Sequence, residues 1–172
     1  DYSSSEEALL HALNTICKDP LKPVDLVVFL QATSPLREPG DIENAIRYFQ
    51  ETGCDSLFSG TCIEIMLWRH NMCQVLPSLA TVQCPAQTMI PFGHDHLKRL
   101  RRQDAEKSYH EDGSIYIFKP DVLRVNKNRL GGKFSMFETR PSWKMHQIDT
   151  LEDLELCEYL MKKNILNAQD FK

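Results

Sequence analysis

The chain has 172 residues, 42% of them hydrophobic and 26% charged, with a formal net charge of −4. That length suits one domain with a sizeable core, and the acidic balance excludes bulk attraction to nucleic acid or to an anionic membrane. No apolar run approaches the roughly 18–20 residues of a membrane-spanning helix, and the acidic, serine-rich start does not read as a signal peptide; a soluble protein is expected.

In chain order, DYSSSEE reads as a helix start, with serine able to cap and acids in the first turn. Ala8, Leu9, Ala12, Leu13 and Ile16 follow at helical spacing. Val24 to Leu30, β-branched and apolar apart from Asp25, is expected as a strand covered on both faces. After LQATSPLR, the turn Glu38-Pro39-Gly40-Asp41 opens a helix marked by Ile42, Ala45, Ile46 and Phe49. Cys54 to Ser59 reads as a second buried strand, which completes the βαβ rhythm of a parallel sheet. The middle, Gly60 to Ser108, looks irregular, with one apolar stretch from Ile63 to Trp68 and the basic run Lys98-Arg99-Leu100-Arg101-Arg102. A strand is expected at Ser114 to Phe118, a short helix at Asp121 to Val125, and strands at Phe134 to Glu138 and Met145 to Ile148. The last helix starts at Asp149-Thr150, with Leu151, Leu154, Cys157, Leu160 and Met161 inward and Thr150 with Asp153 as a capping box. Asn164 to Lys172 reads as a frayed tail. No strand and no Gly-rich phosphate loop precede the first helix, so either the fold departs from the usual doubly wound pattern or its opening third lies outside the sequence.

In open α/β sheets, ligands sit beyond the carboxyl ends of the strands. Gln31, Thr33, Ser34 and Arg37 occupy that position after the first strand. The amide of Gln31 can donate to and accept from a base or a hydroxylated ring; the same residues would also make a plain turn. Lys98, Arg99, Arg101 and Arg102 form either a solvated loop or a clamp for a polyphosphate or carboxylate, which arginine forks suit. Neighbouring acids (Asp104, Glu106, Glu111, Asp112) argue against nucleic acid. Asp149, at a strand-to-helix junction, is either a cap or a ligand for a hard cation. The six cysteines form no C-x-x-C pair and read as reduced thiols; the six histidines show no ligand spacing beyond His94-x-His96, and no nucleophile-base pairing supports covalent catalysis.

Taken in order, DYSSSEEALLHAL, LQATSPLREPGDI, CDSLFS, RRQD with EDGSIYIFKPDVL, and IDTLEDLELCEYL resemble the acylneuraminate cytidylyltransferases, the CMP-sialic acid synthetases. The resemblance covers nearly the whole chain. It implies a Rossmann-like, nucleotide-diphospho-sugar transferase-type mixed sheet flanked by helices over residues 1–163, with a tail at 164–172. It also implies a homodimer in which a projection, here about Met66 to Leu97, helps complete the partner's sugar site. The implied substrates are CTP and a nine-carbon acidic sugar, with Mg²⁺ as cofactor, no nucleic acid, no membrane, and a cytoplasmic location (nuclear in an animal source). The stretch PFGHDHLKRLRRQD is more similar to the bacterial branch that acts on legionaminic-type or related nonulosonic acids than to the animal enzymes.

By the same likeness Asp1 and Ser4 lie near the ribose and base, and Gln31, Thr33 and Ser34 at the sheet mouth. Arg69 and Arg102 match basic positions near the sugar carboxylate or phosphates, with Tyr109 beside them. Asp112 stands where many relatives have asparagine, and Asp149 matches a metal-binding aspartate. Asp149, Arg102 and Gln31 are the implied catalytic set. Two departures matter: Gln147-Ile148-Asp149 replaces an acid-isoleucine-acid metal site, and the family's basic Gly-rich CTP loop has no counterpart here. On that reading the chain as given does not turn CTP over. The competing expectations are a non-catalytic dimerisation or regulatory remnant, and a 3-deoxy-manno-octulosonate-type cytidylyltransferase.

Overall fold

The computed structural model describes residues 3–17, 23–70 and 89–166. The chain divides into two compact units: Asp1–Thr61 with His110–Lys172, and Cys62–Tyr109. In chain order the elements begin α1 (Ser5–Ile16), β1 (Val27–Phe29), α2 (Asp41–Thr52), β2 (Ser56–Ile63), β3 (Leu67–His70) and β4 (Met89–Phe92). They continue with β5 (Ser108–Phe118), α3 (Pro120–Asn126), β6 (Phe134–Glu138) and α4 (Leu151–Met161). The chain passes from one unit to the other within β2 and near the start of β5.

The main sheet has the order β1-β5-β2-β6. It is mixed: β1 runs antiparallel to β5, with Val28 opposite Ile117, and β2 runs parallel to β6, with Phe58 opposite Met136. The βαβ rhythm of β1, α2 and β2 is therefore present without direct pairing, because β5 inserts between the two strands. Side-chain alternation along β5 divides the core. Ile115 and Ile117 pack with Ala45 and Phe49 of α2, whereas Tyr116 and Phe118 pack with Leu13 of α1 and with Val122 and Leu123 of α3. Helices thus cover both faces, and the continuous apolar run of β1 follows from that.

Local signals set several boundaries. Ser4 caps α1 by accepting from the Glu7 amide at 3.2 Å. Its inward stripe is Leu9, Leu10, Leu13 and Cys17, whereas Ala8, Ala12 and Ile16 face outward, Ile16 being 62% exposed. The larger leucines bury more area than the alanines, so the helix turns that way. At α2 the expected face holds, with Ala45 and Phe49 buried and Ile42 and Ile46 packed beside them.

Two expectations need correction. Met145 to Ile148 is not a strand: Ser142–Met145 is a 3₁₀ turn followed by extended chain. The α4 capping box is present, but Leu151 and Leu154 are exposed; Cys157 is its buried residue. Apolar spacing alone does not bury a helix face. The expected tail begins in a π turn, Lys162–Leu166, and its remainder lies outside the described residues.

In the second unit, β3 and β4 pair antiparallel with Trp68 opposite Pro91, where an irregular stretch was expected. All four residues of β3 are exposed. Trp68 meets the His94 and His96 rings edge-on, at 5.3 and 6.0 Å between centroids, and the Arg69 guanidinium lies 5.9 Å from the Phe92 ring. Part of the segment expected to project, residues 71–88, lies outside the described residues.

Candidate functional site

β1 ends at Phe29, and the chain turns beyond the sheet through LQATSPLR. The turn closes with the Ser34 amide on the Gln31 carbonyl at 3.2 Å. Ser34 is 1% exposed, and its hydroxyl donates to the Asp112 carbonyl at 3.0 Å. Gln31 is half-buried and Thr33 is exposed. Of this segment's candidates, Gln31 and Thr33 are the ones free to face a ligand; Ser34 fastens the loop to β5.

The meeting point is Gly113, which bends β5 at φ +65°. A Cβ there would lie 2.1 Å from Gln31 Oε1, 3.0 Å from Ser34 Oγ and 3.3 Å from Gln147 Oε1. Only glycine lets these three side chains close over the strand. A third segment is tied in from the other side, where the Ile148 amide donates to the Thr33 carbonyl at 2.8 Å. Residues 31–34, 112–113 and 147–149, far apart in sequence, therefore share one end of the sheet.

Beneath this end lies a polar network. Asp112 is 0% exposed, and its carboxylate accepts from the Ser114 amide at 3.0 Å, the Thr61 hydroxyl at 3.4 Å and the Ser59 hydroxyl. The carboxylate faces inward, so Asp112 supports the mouth from behind rather than lining it. Arg37 Nη1 donates to the Ser34 carbonyl at 2.5 Å and to the Ser114 carbonyl at 3.1 Å. Burial lowers the Arg37 pKa, with Asp112 and Asp41 pulling it back up. Lys144, 3% exposed, meets Glu38 Oε2 at 2.5 Å and Asp41 Oδ2 at 2.9 Å, and so ties the segment leading to Gln147 onto the start of α2.

Asp149 is exposed, and its amide donates to Asp153 Oδ2 at 3.1 Å. The Asp153 carboxyl is held below the usual aspartate range by the Thr150 hydroxyl and two backbone amides. Among the described residues no three His, Cys, Asp or Glu side chains converge as a metal cage. Asp149 fits a hard cation as a single carboxylate that leaves the remaining positions to water and phosphate oxygens.

The other candidates lie elsewhere. Ser4 caps α1 and borders a shallow hollow with Leu10, Leu123 and Lys127. Asp1 lies outside the described residues. Arg69 on β3, Arg102 at the start of a 3₁₀ turn and Tyr109 belong to the second unit. Arg102 borders a hollow with Ile63, Met66 and Glu106, and Tyr109 is 43% exposed. Arg101 is paired with Asp104 at 2.7 Å, while Lys98 and Arg99 border a second hollow beside His94 and Asp95. Cys17, Cys54, Cys62 and Cys157 are free thiols. Among the described residues no helix is long and apolar enough to cross a membrane.

Sequence reasoning missed the supporting roles of Ser59, Thr61 and Lys144. Ser59 and Thr61 lie two apart on β2 and so project from the same face, a usable signal. Lys144 meets Asp41 across 103 positions and carries no local signal.

No family model matches the chain. Over 147 residues, 86% of its length, the chain is 27% identical to the post-translational flagellin modification protein B of Campylobacter coli. It is also 27% identical over 164 residues, 95% of its length, to a pseudaminic acid cytidylyltransferase of Campylobacter jejuni. Identity is again 27% over 135 residues, 78% of the chain, with an N-acylneuraminate cytidylyltransferase of Oncorhynchus mykiss. The chain spans 57%, 65% and 28% of the lengths of these three relatives, respectively. The structure matches that of CMP:2-keto-3-deoxy-manno-octonic acid synthetase complexed with CTP at a TM-score of 0.55 and 16% identity, over 96% of this chain and 70% of the other. At that identity the match shows a shared fold. The expected mixed, Rossmann-like sheet is present, and in sequence the chain is similar to pseudaminic acid and N-acylneuraminate cytidylyltransferases, as expected.

Proposed function

We propose that the protein joins CMP, from CTP, to a sialic-acid-like nine-carbon acid such as pseudaminic or N-acetylneuraminic acid, releasing pyrophosphate. The anomeric hydroxyl oxygen of the sugar bonds to the α-phosphorus of CTP, the bond from that phosphorus to the pyrophosphate oxygen breaks, and the hydroxyl proton leaves to solvent. Such a transfer depends on positioning and charge neutralisation more than on covalent help. The observation that supports it is the convergence of Gln31, Ser34 and Gln147 on Gly113, with Thr33 tied to the Asp149 segment.

Gln31 would bond to sugar or nucleotide hydroxyls, with Thr33 beside it. Arg69 and Arg102 supply forked cations for the sugar carboxylate or the phosphates, with Tyr109 nearby in sequence. Ser4 and Asp1 would lie toward the nucleotide. Mg²⁺, held by Asp149 with water, would neutralise phosphate charge when bound. The exposed β3–β4 ribbon, with Trp68 and Phe92 outward, would serve a homodimer. A cytoplasmic location follows from this reaction's soluble substrates.

A neutral Gln147 beside a single carboxylate also supports a second reading, a non-catalytic partner of an active subunit. The test incubates the protein, with any coding sequence that flanks this chain, with CTP, Mg²⁺ and each acid sugar in turn. We expect CMP-sugar and pyrophosphate from pseudaminic or N-acetylneuraminic acid and little from 3-deoxy-manno-octulosonate. Product from the octulosonate alone would reassign the sugar. No product from any of them would overturn the enzymatic reading and favour the partner role.

A further inference from the structure

Resting on the reading above, we infer that Arg37 and Asp112, neither of which lines the mouth, are positioning residues that set the location of the Gln31 amide. Residues 30–37 belong to no helix or strand, so no ladder of backbone bonds fixes Gln31. What fixes it is the contact between this loop and the bend of β5. Ser34 Oγ reaches the Asp112 carbonyl at 3.0 Å. One nitrogen of Arg37 bridges the Ser34 carbonyl at 2.5 Å, the Ser114 carbonyl at 3.1 Å and Ser114 Oγ at 3.4 Å. The loop is thereby fastened on both sides of Gly113.

Asp112 does the same from within the sheet. Its carboxylate holds the Ser114 amide at 3.0 Å and takes the hydroxyls of Ser59 and Thr61. Ser59 Oγ in turn accepts from the Ile115 amide at 2.8 Å. An acceptor-only group suits three converging donors. These bonds fix the backbone at Gly113, and Gln31 Oε1 lies where that residue has no side chain. Any shift of the bend is passed straight to the Gln31 amide. Arginine suits the other side, because the planar guanidinium holds Nη1 rigidly between the Ser34 and Ser114 carbonyls, whereas a lysine ammonium rides on a flexible stem.

The test measures kcat/KM for CMP transfer in the full protein carrying Arg37→Met, Arg37→Lys, Asp112→Asn, Gln31→Ala and the double variant Arg37→Met with Gln31→Ala. A displacement of about 1 Å at a reacting group costs on the order of 100-fold, so Arg37→Met should lose about that much, with Arg37→Lys recovering part. If Arg37 acts through Gln31, the double variant falls no more than about 3-fold below Gln31→Ala alone, since coupled sites are non-additive. Independent, merely structural losses would multiply and overturn the inference. The side-chain amide NMR signal of Gln31 is read in parallel and should shift in Arg37→Met and in the milder Ser34→Ala; an unmoved signal in both overturns the inference. If the parent protein transfers no CMP, the functional reading fails by itself, and the Gln31 signal still decides the positioning role.

Discussion

Replacing Lys144 by methionine removes a cation that is 2% exposed at its side chain and that faces two carboxylates, Glu38 at 2.5 Å and Asp41 at 2.9 Å. Methionine roughly keeps the volume, so the loss is electrostatic rather than a cavity. Breaking a buried ion pair by deleting one partner costs about 3–5 kcal/mol, because a charge is left uncompensated. The partners are less buried than the lysine, 37% exposed for Glu38 and 19% for Asp41. Water can therefore reach the orphaned acids, and we take the lower end, about 3 kcal/mol. For a chain of this size that corresponds to a fall in Tm of roughly 6–12 °C. The assay is urea and thermal unfolding followed by circular dichroism. Adding Asp41→Asn to Lys144→Met should restore at least about 1 kcal/mol by removing the stranded charge. A loss below about 1 kcal/mol, the level of an exposed pair, would refute the reasoning, as would no recovery in the double variant.

Gly113→Ala forces a left-handed backbone on alanine, costing about 1–2 kcal/mol, and must displace Gln31, so nucleotide binding measured by calorimetry should fall more than stability does. The Asp153 carboxyl is held below its ordinary 3.8 by the Thr150 hydroxyl and backbone amides. A depressed folded value means its stabilisation is present above the unfolded value and is lost as pH falls through the folded one. NMR titration of Thr150→Ala should therefore show the Asp153 midpoint rising and the acid transition moving to higher pH. Burial, aided by the Glu111 carboxylate, raises the Tyr116 hydroxyl above its ordinary 10. Its neutral form is favoured in the fold, so that stabilisation is present below the unfolded value and lost as pH rises through the folded one. Phenolate absorbance should show a late tyrosine ionisation that Tyr116→Phe removes; its persistence in that variant would refute the assignment. Burial pushes the Cys157 thiol up as well, with Asp153 adding to it. Cys54 and Cys157 should thus react with a thiol reagent more slowly than Cys17 and Cys62, read by mass spectrometry of timed samples.

The local parts of this molecule were legible from residue order. Serine before acids capped α1, Thr150 with Asp153 closed a capping box on α4, and the period of Ile42, Ala45, Ile46 and Phe49 marked the inward face of α2. These features rest on contacts within three or four positions, which a linear reading can see. LQATSPLR also marked the carboxyl end of β1, where ligands of open α/β sheets sit, although a plain turn reads the same along the chain.

The three-dimensional fold decided the rest. Nothing near Gln31 announces that Gly113 and Gln147 will meet it, nor that Ser34 and Asp112 turn inward to support the mouth. Those meetings depend on β5 inserting between β1 and β2, a pairing selected by how Ile115, Tyr116, Ile117 and Phe118 fill both faces at once. The same limit applies to α4, where apolar spacing named five inward residues and the fold left Leu151 and Leu154 in solvent. Short-range chemistry is written along the chain, whereas juxtaposition of residues as far apart as Ser34 and Asp112, or Gln31 and Gln147, is settled only when alternative packings compete for the same apolar surface.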